Sequence, residues 1–395
     1  MGCGSSKQTA VDEAPRASVA PIMPEEQEFF DAVENLTASP SFMRAKSLDR
    51  LKNAADEPAP VVKQPSLIRW ISAIGPKVEE SVEDSGMSKC VVPLYERGME
   101  TLAQESSNAS WTKNVDGVGF KLRGKTYKKD KKKIPSEAPF YDVQAVLSFK
   151  SEEKVGDWIK HLFDGNLGTK IRDEIPTVII VNIMIPNYKP SGGLLAKKEH
   201  NGPGHNVVLL CKISDFAQKT LKETEDWDDL PPDFKLLRRY VKGDGTGKVD
   251  VHPHAMAIRQ QTKMVVMVVT GHEHLPWLVR QAVNHGNGKP FMVNRTSSYI
   301  ERSGALEINV DAHNFSNVAL NGLRTVHTSL GKLILDVGAT IQGENEAELP
   351  ERLLFSCRVN YPKIEKIEAH VDMLEANRAA RKWLGAIQDR LTSPL

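Results

Sequence analysis

The stretch IIVNIMIP, residues 179–186, gives the first indication of the fold. It is short, almost wholly apolar and rich in β-branched side chains, and it ends at a proline. These features are typical of a buried β-strand, which we predict over Thr177–Ile185. Further runs of this kind predict strands at Gly119–Tyr127, Tyr141–Phe149, Asn206–Ile213, Met264–Val269, Ala305–Val310 and Leu354–Val359.

Helical patterns separate some of these strands. Apolar residues spaced three to four apart predict helices at Ser151–Phe163, Pro232–Val241 and Val318–Leu335. A last apolar stripe predicts a long C-terminal helix over 364–391. Because the strands cluster without strict alternation with helices, we predict an α+β fold, in which helices cover a largely antiparallel sheet.

The chain divides into four regions. Residues 1–23 are rich in Ala, Ser and Pro without periodicity, which predicts a disordered, lipidated N-terminus. Residues 24–109 are predicted to be flexible, with short amphipathic helices. We predict the folded domain over 110–362 and the C-terminal helix within 363–395.

The composition argues against several classes of protein. Among 395 residues, 52 Lys plus Arg balance 51 Asp plus Glu, so the overall charge gives no reason to expect a nucleic-acid partner. The cysteines (Cys3, Cys90, Cys211 and Cys357) form no CxxC pair, which argues against a disulfide framework or a zinc ribbon and favours a reducing compartment. No apolar run is long enough to span a bilayer or to act as a secretory signal. These features predict a soluble, non-secreted protein on the cytosolic side.

The opening sequence MGCGSSK carries a lipidation pattern. Removal of Met1 exposes Gly2 for myristoylation, and Ser6 stands where that pattern has Ser or Thr. Cys3 is placed for a palmitoyl chain. Since one myristoyl chain binds membranes with an association constant of only about 10⁴ M⁻¹, stable residence needs a second signal. We therefore predict a lipid-anchored, peripheral protein on the cytoplasmic face of a membrane.

A dense basic cluster offers another membrane contact. Each Lys or Arg near an anionic leaflet contributes about 1 kcal/mol, so the cluster predicts binding to anionic lipids, including phosphoinositides. A solvated loop is the alternative. Nucleic acid is a weaker alternative, because Tyr127 is the one aromatic residue in the run. The cluster consists of Lys121, Arg123, Lys125, Lys128, Lys129, Lys131, Lys132 and Lys133.

Histidines are frequent between residues 252 and 285. His252 and His254 form one His-x-His pair, and His272 and His274 form another. Such pairs can chelate metal on a strand, but no third ligand follows at a useful spacing, so we predict no metal site.

Glu307, Asp311 and His313 are the best candidates for acid–base chemistry, because Asp311 and His313 would share one face of a strand. We favour the alternative, that they are structural hydrogen-bonding groups at the end of a strand. The chain has no GxSxG, Walker or GxGxxG motif. We predict no catalytic residues, no cofactor and no enzyme activity; an unrecognised hydrolase remains an alternative.

Several blocks of the sequence are similar to one family; they are SW (110–111), FKLRGKTYKKDKKK (120–133), IIVNIMIP (179–186), LEINVDAH (306–313), LDVGATIQG (335–343) and ELPERL (348–353). The chain resembles the C-terminal domain of the plant enhanced-disease-resistance-two protein over residues 110–362, and its MGC start resembles the short, N-terminally lipidated members. The resemblance implies association with membranes and lipids. It departs at Asn309, where similar sequences have Asp, which argues against a mechanism that needs two carboxylates.

These observations together predict a membrane-tethered lipid-binding or lipid-sensing protein without catalysis. An acyl chain or sterol would lie between the sheet and the predicted helices at 318–335 and 364–391. The alternative is a membrane-anchored scaffold that binds a protein partner through residues 24–75.

Overall fold

A curled sheet forms the framework of the protein. The structure is a computed structural model that describes residues 92–93, 95–96, 110–113, 119–163, 167–188, 201–243, 258–294, 296–362 and 378–393. Most of the N-terminal predictions, including those for 1–23 and the helices before residue 75, lie outside these residues. Two short strands at 92–96 do join the sheet.

The described strands lie mostly within the region predicted to be folded. They are β1 (Val92–Pro93), β2 (Tyr95–Glu96), β3 (Ser110–Lys113), β4 (Lys121–Arg123), β5 (Lys133–Pro135), β6 (Tyr141–Ser151), β7 (Lys170–Ile171), β8 (Ile175–Pro176), β9 (Val178–Pro186), β10 (Gly204–Ile213), β11 (Thr262–Thr270), β12 (Phe291–Met292), β13 (Ser297–Arg302), β14 (Ala305–Asp311), β15 (Ile334–Ile341) and β16 (Leu353–Asn360).

The main sheet has the order β12-β11-β15-β16-β6-β10-β9-β14-β13, with β1, β2 and β3 attached beside this path. Most neighbouring strands are antiparallel, but β14 pairs with β9, and β16 with β6, in parallel. The α+β prediction is therefore confirmed, and the sheet is mixed. The hairpin β4–β5 and the pair β7–β8 form two small separate sheets.

Helices cover both faces of the main sheet. The described helices are α1 (Tyr127–Asp130), α2 (Trp158–Phe163), α3 (Asp215–Glu223), α4 (Pro232–Lys242), α5 (Trp277–Gly286), α6 (Asn317–His327) and α7 (Arg378–Thr392). None of the helices in the described chain is long and apolar enough to cross a membrane.

Side chains alternate along the central strands, so adjacent residues enter different cores. Leu209 of β10 lies in the central cluster, which also includes Phe234 and Tyr240 of α4. Its neighbour Leu210 lies in a second cluster on the other face, against α2 and α7. We call these the inner and outer faces of the sheet.

The predicted helix Val318–Leu335 is wrong in its second half. Helix α6 ends at His327, a short 3-10 turn spans Leu330–Lys332, and β15 starts at Ile334. The reason is that the apolar residues of 335–341 alternate at every second position, which places one side of β15 against the inner core. The helix pattern and the strand pattern meet without a proline to separate them.

Two other predicted boundaries also need correction. The predicted strand Gly119–Tyr127 is limited to β4, because the chain turns at Gly124 and begins α1 at Tyr127. The predicted helix Ser151–Phe163 begins at Trp158, since residue 151 completes β6 and Asp157 adopts a positive φ of 58°.

The C-terminal helix is described only over α7, and residues 363–377 lie outside the described chain. The full predicted length, 364–391, is therefore not shown. Its buried side chains Leu384, Ile387 and Leu391 pack on the outer face. Helix α6 packs on the inner face. The sequence predicted that the two helices enclose one interior, and this prediction is wrong because they lie on opposite faces of the sheet.

Candidate functional site

An incompletely covered apolar region lies on the inner face beneath α5 and α6. Its buried residues include Ile185 and Leu333, but most of its members are only partly buried. We call this set the apolar layer: Ile183, Ile185, Val207, Val268, Leu275, Val279, Val283, Leu323, Val326, Leu330, Leu333 and Leu335.

The outer face of the same strands is closed. Val208 and Leu210 of β10 and Ile180 of β9 are completely buried there by α2 and α7. On the inner face Val207, next to Val208, and Ile183 remain partly exposed, whereas Leu209 and Val181 of the same strands are buried there. The difference arises from the covering helices and not from the strands, since both faces carry β-branched and aliphatic side chains.

The accessible apolar surface continues along β11. Val266 lies opposite Val337 in the antiparallel register, so both point to the inner face. Val266 is 36% exposed and Val337 is partly buried. The partly open side chains of β11 and β15 thus extend the accessible apolar surface. Trp277, the first residue of α5, is 60% exposed.

A pocket of about 210 Å³ lies at the edge of the apolar layer, between the end of β9 and α6. Its apolar lining is Ile185, Pro186, Leu320 and Leu323. Its polar lining is Asn187, Tyr188, Arg324, His327 and Thr328. The pocket is thus apolar on one side and polar on the other, and Ile185 and Leu323 belong to both the pocket and the apolar layer.

Tyr188 is held in place by buried groups. Its hydroxyl lies 2.9 Å from Nδ1 of His313, which is 2% exposed. The backbone N–H of His313 donates to Asp311, and Lys154 Nζ lies 2.9 Å from the other oxygen of that carboxylate. Burial lowers the pKa of His313. Asp311 and His313, the acid–base candidates of the sequence, therefore lie together and support one wall of the pocket.

Glu307 lies apart from that pair, beneath the start of α2. Its side chain is fully buried, and its carboxylate accepts a hydrogen bond from the backbone N–H of Ile159. Two strand neighbours, Asn182 and Asn309, are joined by a 2.6 Å hydrogen bond in the same layer. Burial raises the pKa of Glu307 to about 7. These contacts tie α2 to β14 and β9.

His205 lies next to the pocket residue His327, with ring centroids 6.0 Å apart. It is 3% exposed. Burial, and then the charges of His327 and Lys150, lower the pKa of His205 to about 4, so it is neutral at neutral pH.

The basic cluster forms a hairpin in which β4 and β5 flank the short helix α1. The side chains of Lys121, Lys125, Lys129, Lys131, Lys132 and Lys133 are exposed, and Lys128 is half-buried. Asp130 accepts hydrogen bonds from Thr126 and from the backbone N–H of Lys132, which lowers its pKa and shapes the turn. Ile134 is 44% exposed among these lysines. The hairpin therefore combines cationic and apolar groups on one exposed element.

Arg123 does not belong to this exposed set. It is 4% exposed, and its Nε lies 3.7 Å from the buried carboxylate of Glu351. Lys263 contacts the same carboxylate at 3.5 Å. The charge of Arg123 is thus paired with Glu351 inside the protein, and the exposed cations of the basic hairpin are all lysines.

Gly2, Cys3 and the segment 24–75 proposed for a protein partner lie outside the described residues, as do His252 and His254. His272 and His274 lie in an exposed 3-10 turn before α5. Within the described ranges, no group of three His, Cys, Asp or Glu side chains is arranged to hold a metal ion.

Residues 111–362 match the family described as Protein ENHANCED DISEASE RESISTANCE 2, C-terminal. The chain belongs to this family. The ENHANCED DISEASE RESISTANCE 2 C-terminal match includes the apolar layer, the pocket and the basic hairpin, whereas α7 follows it. A curated relative, Protein ENHANCED DISEASE RESISTANCE 2-like of Arabidopsis thaliana, is 25% identical over 251 residues, which are 63% of this chain and 28% of that relative. No solved structure matches the chain.

Proposed function

We propose that the protein is a membrane-tethered lipid-binding protein without catalytic activity, and that the hydrocarbon part of its ligand lies in the apolar layer. The observation that carries the proposal is the contrast between the two faces of the central strands. Val208 on the outer face is fully buried, whereas Val207 on the inner face stays partly open beneath α5 and α6.

This contrast has an energetic consequence. Apolar surface left in contact with water costs about 25 cal/mol per Å² relative to burial, so the open inner face gains stability from an apolar ligand. Ligand sites are usually apolar concavities with a few polar groups that fix orientation. The curled sheet, with the apolar layer and the adjoining half-polar pocket, is compatible with that description.

The basic hairpin supports a membrane location for the same function. Its exposed lysines face solvent together with Ile134, and each contributes about 1 kcal/mol near an anionic leaflet. Acyl chains on Gly2 and Cys3 would keep the protein at the surface, where the lysines act. Phosphoinositides are one class of lipid that such a hairpin suits.

The surroundings of the acid–base candidates favour a structural role. One oxygen of Asp311 accepts from the backbone of His313, and the other contacts Lys154 and Asn314. Both oxygens are therefore engaged in holding the end of β14. The carboxylate of Glu307 likewise accepts a hydrogen bond from the backbone N–H of Ile159 and so holds the start of α2.

Lipid extraction from the full chain tests the proposal. The protein is purified from a eukaryotic host, extracted with organic solvent, and the released lipids are quantified by mass spectrometry. We expect a non-covalent acyl lipid or sterol at near-stoichiometric amount, distinct from chains that remain covalently attached to the protein. A preparation that releases no lipid and takes up none from liposomes would contradict lipid binding.

A further inference from the structure

The pocket at the end of β9 has the chemistry of a headgroup site. Along α6, Leu320 and Leu323 face the pocket together with Arg324 and His327, as their helical spacing requires. The apolar pair adjoins Ile185 and through it the apolar layer. A ligand that fits both parts must carry a hydrocarbon chain and a polar end.

The polar end is expected to be anionic. No acidic side chain is among the residues that line the pocket. Arg324 is exposed, and within the described part of the chain it takes part in no ion pair. A guanidinium that lacks a carboxylate partner is suited to bind a carboxylate or phosphate through paired hydrogen bonds.

The size of the pocket limits what it holds. At about 210 Å³ it is smaller than the 300–1,000 Å³ range of pockets that enclose a whole ligand. A headgroup and the first part of a chain would fill it. The remaining chain must then follow the partly exposed side chains of the apolar layer, such as Val207 and Leu335.

From this arrangement we propose that the pocket binds the anionic headgroup of a lipid, a carboxylate or a phosphate, through Arg324, and directs its chain into the apolar layer. This site is separate from the basic hairpin, which would contact the membrane surface. The proposal rests on the lipid-binding function proposed above and adds the charge of the ligand and the residue that recognises it.

Titration of the full-length protein separates the two proposals. Protein made in bacteria without N-terminal acylation is stripped of co-purified lipid and titrated with dodecanoic acid, dodecyl phosphate, dodecanol and inorganic phosphate. The variants are Arg324→Gln, Arg324→Lys and, as a control with the same change of charge, Lys289→Gln. Lys289 is exposed and lies outside the pocket.

We expect the wild type to bind both anionic amphiphiles about tenfold more tightly than dodecanol. Arg324→Gln should remove that preference without changing dodecanol affinity, Arg324→Lys should retain most of it, and Lys289→Gln should retain all of it.

Equal affinities for acid and alcohol, or a preference that survives in Arg324→Gln, would overturn the headgroup site while lipid binding stands. Inorganic phosphate bound as tightly as dodecyl phosphate would identify a free-anion site and also overturn it. Absence of binding by every amphiphile would refute the lipid-binding function itself.

Discussion

The side-chain hydroxyls of Thr262 and Tyr299 lie 2.7 Å apart, although Thr262 begins β11 and Tyr299 belongs to β13 at the other end of the sheet. Tyr299 also donates to the backbone carbonyl of Arg259, and Tyr240 of α4 lies 2.8 Å from the same threonine hydroxyl. The sheet therefore curls until its ends meet through buried polar groups. This curl gives the inner face a concave shape on which the apolar layer lies.

Loss of the Tyr299 hydroxyl should loosen this closure. Tyr299→Phe removes one donor to the carbonyl of Arg259, which still accepts from Thr262, so we expect the free energy of unfolding to fall by about 0.5–1.5 kcal/mol, the net value of one hydrogen bond. Urea unfolding measures the change. Tyr361→Phe, at a half-buried position after β16, is the control and should change stability little. Equal stability of the two variants would refute the role assigned to the hydroxyl.

The exposed lysines of the basic hairpin should determine binding to anionic membranes. The triple variant Lys131→Gln, Lys132→Gln, Lys133→Gln removes about 3 kcal/mol of attraction if all three contact the leaflet, which corresponds to roughly 100-fold weaker binding. Sedimentation with phosphatidylserine vesicles, using unacylated full-length protein, measures it. The control is Lys219→Gln, Lys222→Gln, Lys235→Gln, which changes the net charge equally on the exposed surfaces of α3 and α4. Equal losses in both triple variants would mean that net charge alone matters.

Arg123 should behave differently from the lysines beside it. Arg123→Gln removes one of the two buried cations that contact Glu351, while Lys263 remains, so we expect a loss of about 1–3 kcal/mol in the free energy of unfolding. Lys125→Gln, at an exposed position in the same hairpin, should leave stability within about 0.5 kcal/mol of the wild type. Chemical denaturation compares the two. If Arg123→Gln is as stable as Lys125→Gln, the buried ion pair does not stabilise the fold.

Protonation of Glu307 should make the stability depend on pH. Its pKa in the folded protein is about 7, above the value of 4.5 for an ordinary glutamate, because it is buried. The folded protein therefore holds a proton that the unfolded chain releases between these values, and stability falls as pH rises from 4.5 to 7. Glu307→Gln removes this loss, so the variant should gain roughly 2–3 kcal/mol relative to the wild type across that window. Urea unfolding at a series of pH values checks the difference, and parallel curves for the two proteins would contradict a raised pKa.

The sequence predicted the strands with clear apolar patterns, such as those at 141–149 and 206–213, and it predicted the fold class. It did not predict β13, because the run SSYIER contains few apolar residues and depends on its pairing with β14. Nor could it separate Arg123 from the neighbouring lysines, since the partner Glu351 is 228 residues away.

The sequence also could not indicate which residues of the apolar layer stay accessible. Val207 and Val208 are identical side chains in one apolar run, and only the packing of α5, α6, α2 and α7 decides which of them stays open. The sequence analysis placed a lipid between the sheet and both the helix at 318–335 and the C-terminal helix, but the C-terminal helix packs on the outer face. The pocket residues of α6 carried no motif that could have identified them.

The amount of lipid bound by a variant with a filled apolar layer tests the central claim most directly. Val207→Phe adds a ring to the partly open inner face, and Val155→Phe makes the same change at a partly buried position on the outer face. Full-length wild type and both variants, each first shown to be folded by its thermal transition, are compared by native mass spectrometry after purification from a eukaryotic host. We predict about one non-covalent lipid per chain in the wild type and in Val155→Phe, and less than about half of that in Val207→Phe, because the added ring takes the space of the chain. Equal lipid content in all three proteins, or none in the wild type, would contradict a lipid site in the apolar layer.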